Sequence, residues 1–452
     1  MDMCERYEHH FVARGMNSVG HARHYLSGLL GKQRRKNIET IHHDVSQSDY
    51  QGMEQFISSS PWCHKALMDQ VAQDANALLG DSKETGLFFD ESSFLKKGHA
   101  SVGVQRQWSG RAGKIENCQV AVYGCLGRGD EVAITDFRLY LPESWAQDPE
   151  RCDKAKIPLE ERRQRAKWEL ALEMVHQARE QNLSYGWIGM DSLYGTNTKL
   201  TNALEDLGEK FMGDVHRTVK IWDQRPQLEE LQSSPQTKSP KNRGRPRKLP
   251  RLHKENTANY LSVEDYRAAH FEKKHRRLCY RQGHKGELWG RFWVKKVWCW
   301  ELGWARVRER ILVVRQDADG SFKYSLSNLP SGRQWEWYAW VQGQRYWIEH
   351  AFHEAKSQLG MAQYQVRVWK GWHHHMSLVC LALLFSSKVR HGQKASAPLL
   401  SVRDITELLD YYLPRKGRSE KEIMAQIRER HQQRQQDIDR RKRHRVGLPK
   451  SN

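Results

Sequence analysis

A chain of 452 residues with 38% hydrophobic side chains is long enough for two or three domains with a buried core, which excludes a disordered polyelectrolyte. Its 74 Lys and Arg against 54 Asp and Glu leave a formal charge of +20, which points to a polyanionic partner, nucleic acid before membrane. The polar start MDMCERYEHH and the short apolar run SLVCLALLF argue against a secretory leader and a membrane span, so the expected location is cytoplasmic, on the nucleoid.

Residues 1–82 read as a helical, DNA-binding region: HARHYLSGLL and HKALMDQVAQDANALL repeat apolar residues every three or four positions, with a break at SSSP. The basic stretch GKQRRKN at 31–37 suits either a phosphate contact or a solvated turn. Eight cysteines without a Cys-x-x-Cys pair signal neither a disulfide framework nor a zinc ribbon. From residue 86, GLFFD, CQVAVYGCL and EVAITDFRLYL predict three strands, the last two joined by a GRGD hairpin. A helix over 158–180, a buried strand in LSYGWIGMD, a helix in NTKLTNALEDLG and a strand over 210–222 follow. This βββαβαβ order is that of an α/β, RNase H-like core, whose first part spans 83–223. Residues 224–275 read as linker, and LWGRFWVKKVWCW, WARVRERILVVRQ and SFKYSLS predict an antiparallel β insertion, the two together filling 224–334. The core resumes over 335–400 with RYWIEHAFHEAK and WHHHMSLVCLALLFSSKV as helices, and 401–452 form a basic helical tail.

Two predicted strands end on an acid, Asp90 and Asp191. Such an acid either presents its carboxylate at the carboxyl edge of a sheet, where α/β proteins place their sites, or simply opens a turn. At about 100° per residue, Arg345, Glu349, Phe352 and Lys356 share one helical sector beside the apolar sector of Ile348, Ala351, Ala355 and Leu359, with Glu354 opposite. Glu349 then pairs with Arg345 at i, i+4 on a solvated face, or stands where the helix meets the sheet. Two strand-end acids and one helix acid are the set that two-metal phosphoryl transfer requires: two Mg²⁺ or Mn²⁺ ions on hard oxygen ligands, with Asp90 bridging and Asp191 and Glu349 each holding one. Arg345 and Lys356 would then face the scissile phosphate and the nearby strand.

The stripe resembles the third motif of the DDE transposases of bacterial insertion sequences, in the branch that includes hairpin-forming cut-and-paste enzymes. That signature reads Tyr-x-x-Arg-x-x-x-Glu-x-x-x-x-x-x-Lys; Arg345, Glu349 and Lys356 match it, and Gln342 stands at the tyrosine position. The resemblance extends to the stretches beginning DESSFLKK around Asp90, to DSLYG at Asp191 and to GMAQYQVRVWKGWHHHMSL after Glu349. It implies metal-dependent cleavage at an element's ends and strand transfer into target DNA by Asp90, Asp191 and Glu349, with double-stranded DNA as partner and a homodimer on it. Lys96, Lys97 and Arg367, within the same stretches, are expected DNA contacts alongside Arg345 and Lys356. The alternatives are a decayed copy that only binds DNA and an RNase H-like nuclease that cuts without joining.

RGRPRK at 243–248 holds Arg243, Arg245, Arg247 and Lys248 around Pro246, whose fixed backbone suits insertion of arginines into an A·T-rich minor groove. Trp298 and Trp300 are the insertion's candidates for stacking on an unpaired base, although alternation in WVKKVWCW also suits packing of one buried face. His373, His374 and His375 diverge around a helix and cannot chelate one ion together; His373 or His375 fits a phosphate neighbour or the core edge.

Overall fold

A computed structural model describes residues 2–81, 83–110, 112–229, 250–253, 255, 259–283, 286–301 and 303–417, with a few positions between 421 and 439. Its strands are β1 (Gly86–Leu95), β2 (Gln105–Ser109), β3 (Lys114–Arg128), β4 (Glu131–Leu139), β5 (Trp187–Met190), β6 (Phe211–Asp214), β7 (Arg276–Gly283), β8 (Gly286–Cys299), β9 (Arg308–Gln316) and β10 (Phe322–Ser327). The helices that matter for the site are α1 (Val19–Leu29), α2 (Tyr50–Ser58), α3 (His64–Leu79), α4 (Lys167–Glu180), α5 (Thr198–Asp206), α6 (Val263–Lys274), α7 (Trp335–Gln344), α8 (Tyr346–Gln358), α9 (Trp369–Gln393) and α10 (Val402–Tyr412). Among the described residues these ten strands form one mixed sheet in the order β7-β8-β9-β10-β6-β5-β1-β3-β2, with β4 also paired to β3. β1, β3 and β4 make an antiparallel meander, turned between β3 and β4 by Gly129 at φ +61°. β5 and β6 then add in parallel, each reached through a helix, as parallel crossovers require. Because β10 pairs antiparallel with β6, β7–β10 extend the same sheet.

Successive residues of a strand face opposite ways, and this fixes what the sheet presents. On β3, Gly124 faces α4: a Cβ there would stand 3.2 Å from Phe89 and 3.6 Å from Met174. Tyr123 therefore faces the other side, with its hydroxyl 3.5 Å from Met376 Sδ on α9 and its ring 5.1 Å from that of Phe352 on α8. Asp90 is the register partner of Tyr123 and so lies on the α8 face. The apolar sector of α8 packs onto that face, with Ile348, Ala351, Ala355 and Leu359 all fully buried. One hydrophobic core runs from Leu29, Phe56 and Val71 in the N-terminal helices to Phe89, Ile188 and Leu384. No helix among the described residues is long and apolar enough to cross a membrane.

Several elements depart from the sequence reading. β1 does not stop at Asp90: Glu91–Leu95 stay paired with β3, whereas the parallel neighbour β5 ends at Met190, opposite Phe89. A fourth strand, β2, pairs with the start of β3; its polar sequence QRQWS carries little apolar signal. The helix expected from 158 begins at Lys167, behind Pro158 and a 3-10 turn, where Glu169 Oε2 accepts a hydrogen bond from Ala166 N at 2.6 Å. The strand expected over 210–222 breaks after Asp214. The expected linker contains α6, marked by a Ser262 cap, Glu264 and Asp265 in its first turn and Lys273 and Lys274 in its last, signals that its few apolar residues obscure.

Two polar stretches are also used differently. In GKQRRKN, Lys36 is buried, donates from Nζ to Leu29 O at 2.6 Å and to Gly31 O, and has its pKa pushed down by burial to about 7. The three histidines are core residues with no phosphate-facing role: His373 Nδ1 lies 2.9 Å from Trp369 O, His374 Nδ1 2.9 Å from Ile57 O, and His375 Nδ1 2.8 Å from Tyr25 Oη. Burial lowers their pKa values to about 3, about 4 and about 3, which keeps them neutral.

Candidate active site

A cleft of about 1010 Å³ opens where β1, β5 and β6 meet α8, with Asp90, Asp191, Asp214, Arg345, Glu349 and Lys356 among its walls. Asp90 sits where the parallel pairing of β1 ends and the antiparallel pairing continues, so one edge of its backbone opens to the cleft. Asp191 follows β5 directly and caps the turn Ser192–Gly195, accepting from Leu193 N at 2.9 Å and Tyr194 N at 3.3 Å. That turn presses on the end of β6: a Cβ at Gly195 would collide with Asp214 O and stand 2.8 Å from Gly213 C. Gly195→Ala should therefore destabilise the fold by about 1–3 kcal/mol, read as a lowered melting temperature; an unchanged melt would mean the turn yields freely.

α7 and α8 meet at Arg345, which keeps helical angles of φ −57° and ψ −27°, so the i, i+4 relation to Glu349 survives the junction. The guanidinium lies 2.6 Å from Glu349 Oε1, 3.4 Å from Asp90 Oδ2 and 3.4 Å from Asp214 Oδ2. The ion pair and the sheet contact weighed as alternatives thus coexist. Burial opposes the charge on Arg345, but Asp214, Glu349, Asp90 and Asp191 outweigh it and raise the pKa above the ordinary arginine value. Burial pushes the Asp90 carboxyl up to about 7, with Arg345 counteracting and Asp191 and Glu349 adding to the rise. Burial also raises Asp191, against Arg345. Glu349 keeps 49% of its side chain exposed and forms the wet side of the group. Lys356 donates from Nζ to Ser93 O at 3.3 Å on β1.

Asp214 is absent from the sequence reading, although FMGD carries the same signal as GWIGMD, an apolar strand closing on an acid. A strand expected to run through to 222 passes over it. Asp214 Oδ1 accepts from Ser325 Oγ at 2.6 Å, and Ser325 Oγ accepts from Gln342 Nε2 at 2.7 Å. The glutamine at the signature's tyrosine position thereby helps to fix a fourth carboxylate. Glu91, the next residue of β1, also lines the cleft and pairs with Lys167 Nζ on α4 at 2.7 Å.

Residues 13–286, more than half of the chain, match the DDE superfamily endonucleases. The chain belongs to that family. The matched span contains Asp90, Asp191 and Asp214, while Arg345, Glu349 and Lys356 lie beyond it. One relative is the probable transposase for insertion sequence element IS701 of Microchaete diplosiphon, 26% identical over 188 residues, which are 41% of this chain and 46% of that protein. The chain thus matches less than half the length of that relative.

In this DDE superfamily endonuclease the expected DNA contacts other than Arg345 and Lys356 fall into three groups. Lys97 and Arg367 are exposed, whereas Lys96 is half-buried 3.5 Å from the Tyr364 ring centre, and burial lowers its pKa to about 8. Trp300 is buried, donates from Nε1 to Trp304 O at 3.2 Å and packs with Trp222 and Val307; Trp298 packs half-buried against the same cluster. Neither lines the acidic cleft. Arg243, Arg245, Arg247 and Lys248 lie outside the described residues.

Among the described residues, no three His, Cys, Asp or Glu side chains are grouped so that they could hold a metal ion as they stand. Arg345 supplies the positive charge between the acids. The donor set is nevertheless all carboxylate oxygen, which suits hard divalent cations. An added cation also offsets the burial that hinders ionisation of Asp90.

Proposed function

We propose that this DDE superfamily endonuclease is the transposase of an insertion sequence, an RNase H-like enzyme that cleaves DNA at the element's ends and joins them to target DNA. The observation that carries this reading is the meeting of Asp90, Asp191 and Glu349 around Arg345 in one cleft, although Arg345 and Asp90 are 255 positions apart. The named relative supports transposition over other phosphodiester chemistry. Two Mg²⁺ or Mn²⁺ ions held by Asp90, Asp191 and Glu349 supply Lewis-acid activation of the attacking and leaving oxygens when bound. The chain's own residues do the rest. Arg345 stabilises negative charge building on the scissile phosphate, Lys356 from the same stripe holds the strand against β1, and the exposed side of Glu349 admits first water and then target DNA. Water breaks a P–O3′ bond, leaving a 3′-hydroxyl and a 5′-phosphate. The hydroxyl oxygen then bonds to a target phosphorus, and a target 3′-hydroxyl departs with the proton.

The two ends of an element call for at least a dimer on DNA, with residues 1–82, Lys97, Arg367 and the 243–248 stretch as end-binding surfaces. Incubation with a duplex copied from the DNA bordering the coding sequence, a target plasmid and Mg²⁺ or Mn²⁺ should give nicked ends and joined products. Cutting without joining of pre-cut ends would leave only a nuclease. Retention of the duplex with no cut at all would leave only a DNA-binding protein.

A further inference from the structure

We propose that the inserted strands build a second phosphate subsite beside the acids, with Arg281 on β7 and Lys323 on β10 as its cationic pair; the assignment to DNA rests on the function proposed above. The subsite is a cavity of about 220 Å³ whose walls include Arg281, Arg315, Lys323, Tyr346, Asp214 and Glu349. It shares Asp214, Lys323, Arg345 and Glu349 with the large cleft, so the two spaces adjoin. A strand lying across the acids therefore carries its next phosphates past this wall.

The charges sort themselves by partner. Arg345 is engaged by Asp90, Asp214 and Glu349, and Arg315 Nε lies 2.9 Å from Asp317 Oδ1. Arg281 and Lys323 have no ion pair with any described residue, and Arg281 Nε is buried without a hydrogen-bond partner. A guanidinium half out of water with an unmet donor favours an incoming anion, since burial already lowers its pKa. Its orientation is set in advance. The Arg281 guanidinium lies 3.4 Å from the centre of the Tyr346 ring, which holds it against α8 on the wall of the cavity. Tyr346 directly follows Arg345 and precedes Glu349 by three positions, which couples the subsite to the acids through one helical turn. Planar bidentate donation to phosphate is the chemistry that arginine in this setting provides, with Lys323 as a point charge beside it.

The test measures binding of a 30-base-pair fluorescein-labelled duplex from the DNA bordering the coding sequence, in Ca²⁺, across a salt series. Arg281→Ala should weaken binding at least about threefold and reduce the slope of log affinity against log salt by about one. Arg281→Lys, which keeps charge and stem, should keep the slope while losing affinity. A scan of single methylphosphonates should then find one position, next to the cut, whose neutralisation costs the wild type clearly more affinity than it costs Arg281→Ala, in which Lys323 alone remains. Wild-type slope and affinity in Arg281→Ala, or an equal methylphosphonate penalty in both proteins, overturns the subsite. Should Arg281→Ala fail to fold, Arg281→Lys decides on the same scan: an undiminished penalty at that position overturns the bidentate contact. The two readings fail separately, because a protein that binds with this phosphate signature but never cuts loses the transposase reading alone, whereas one that cuts with no such signature loses the subsite alone.

Discussion

Asp191→Ala should lower the cleavage rate about 10³-fold, while the Kd for an end duplex changes less than about threefold. The contrast follows from where Asp191 sits. Its carboxylate is half-buried at the head of the cleft and makes no ion pair with a described cation, so its loss should remove catalysis and leave the basic surface intact. Alanine also removes the cap of the Ser192–Gly195 turn, a change of about 0.5–2 kcal/mol in stability. Asp191→Asn separates the two roles: asparagine caps as well as aspartate but brings no charge, so it should melt no lower than the wild type and cut as poorly as the alanine variant. Binding, melting and single-turnover cleavage on the three proteins settle the matter. If either variant keeps more than about a tenth of the wild-type rate, Asp191 is a turn cap and the catalytic group needs another acid, with Asp214 the nearest in kind.

How much of this was legible in the sequence depends on whether the signal was local. The helix stripe of Arg345, Glu349 and Lys356 was legible because 3.6-residue geometry acts within one element, and those three side chains line the cleft together. The meander and the parallel strands were legible for the same reason: GWIGM is apolar throughout because both faces of β5 are covered. The extent of β1 was not, because nothing local says that Glu91–Leu95 find a partner in β3 after β5 has ended. Asp214 was lost to an overlong strand, and its role depends on Ser325 and Gln342, more than a hundred residues away. Trp300 packs with Trp222 and Val307, partners that the local alternation in WVKKVWCW does not name. Lys36 likewise read as a surface charge, yet it serves as a buried donor to the carbonyls that end α1.

Asp90→Asn should raise the melting temperature in EDTA at pH 8 and change it little at pH 4. Linked protonation sets the difference. The folded Asp90 has its pKa pushed up to about 7, above the ordinary carboxylate value of 3.8, and burial is the leading cause. Below 3.8 the group is protonated whether folded or not, and contributes nothing to the pH dependence. Between 3.8 and about 7 the unfolded chain gives up its proton while the folded one keeps it, so stability falls as pH rises. Above about 7 the loss is complete, on the order of 4 kcal/mol. Asparagine has nearly the same shape and no proton to lose, so its advantage should grow from pH 4 to 7 and then level off. Saturating Mn²⁺ should reverse the order, because a cation beside a buried carboxylate stabilises the wild type and has less to hold in the variant. Melts at pH 4, 6 and 8, with and without Mn²⁺, give the comparison. A variant less stable than the wild type in EDTA at pH 8 would show that the contact to Arg345 outweighs burial. Mn²⁺ raising both melts equally would mean that Asp90 is not among the groups that hold it.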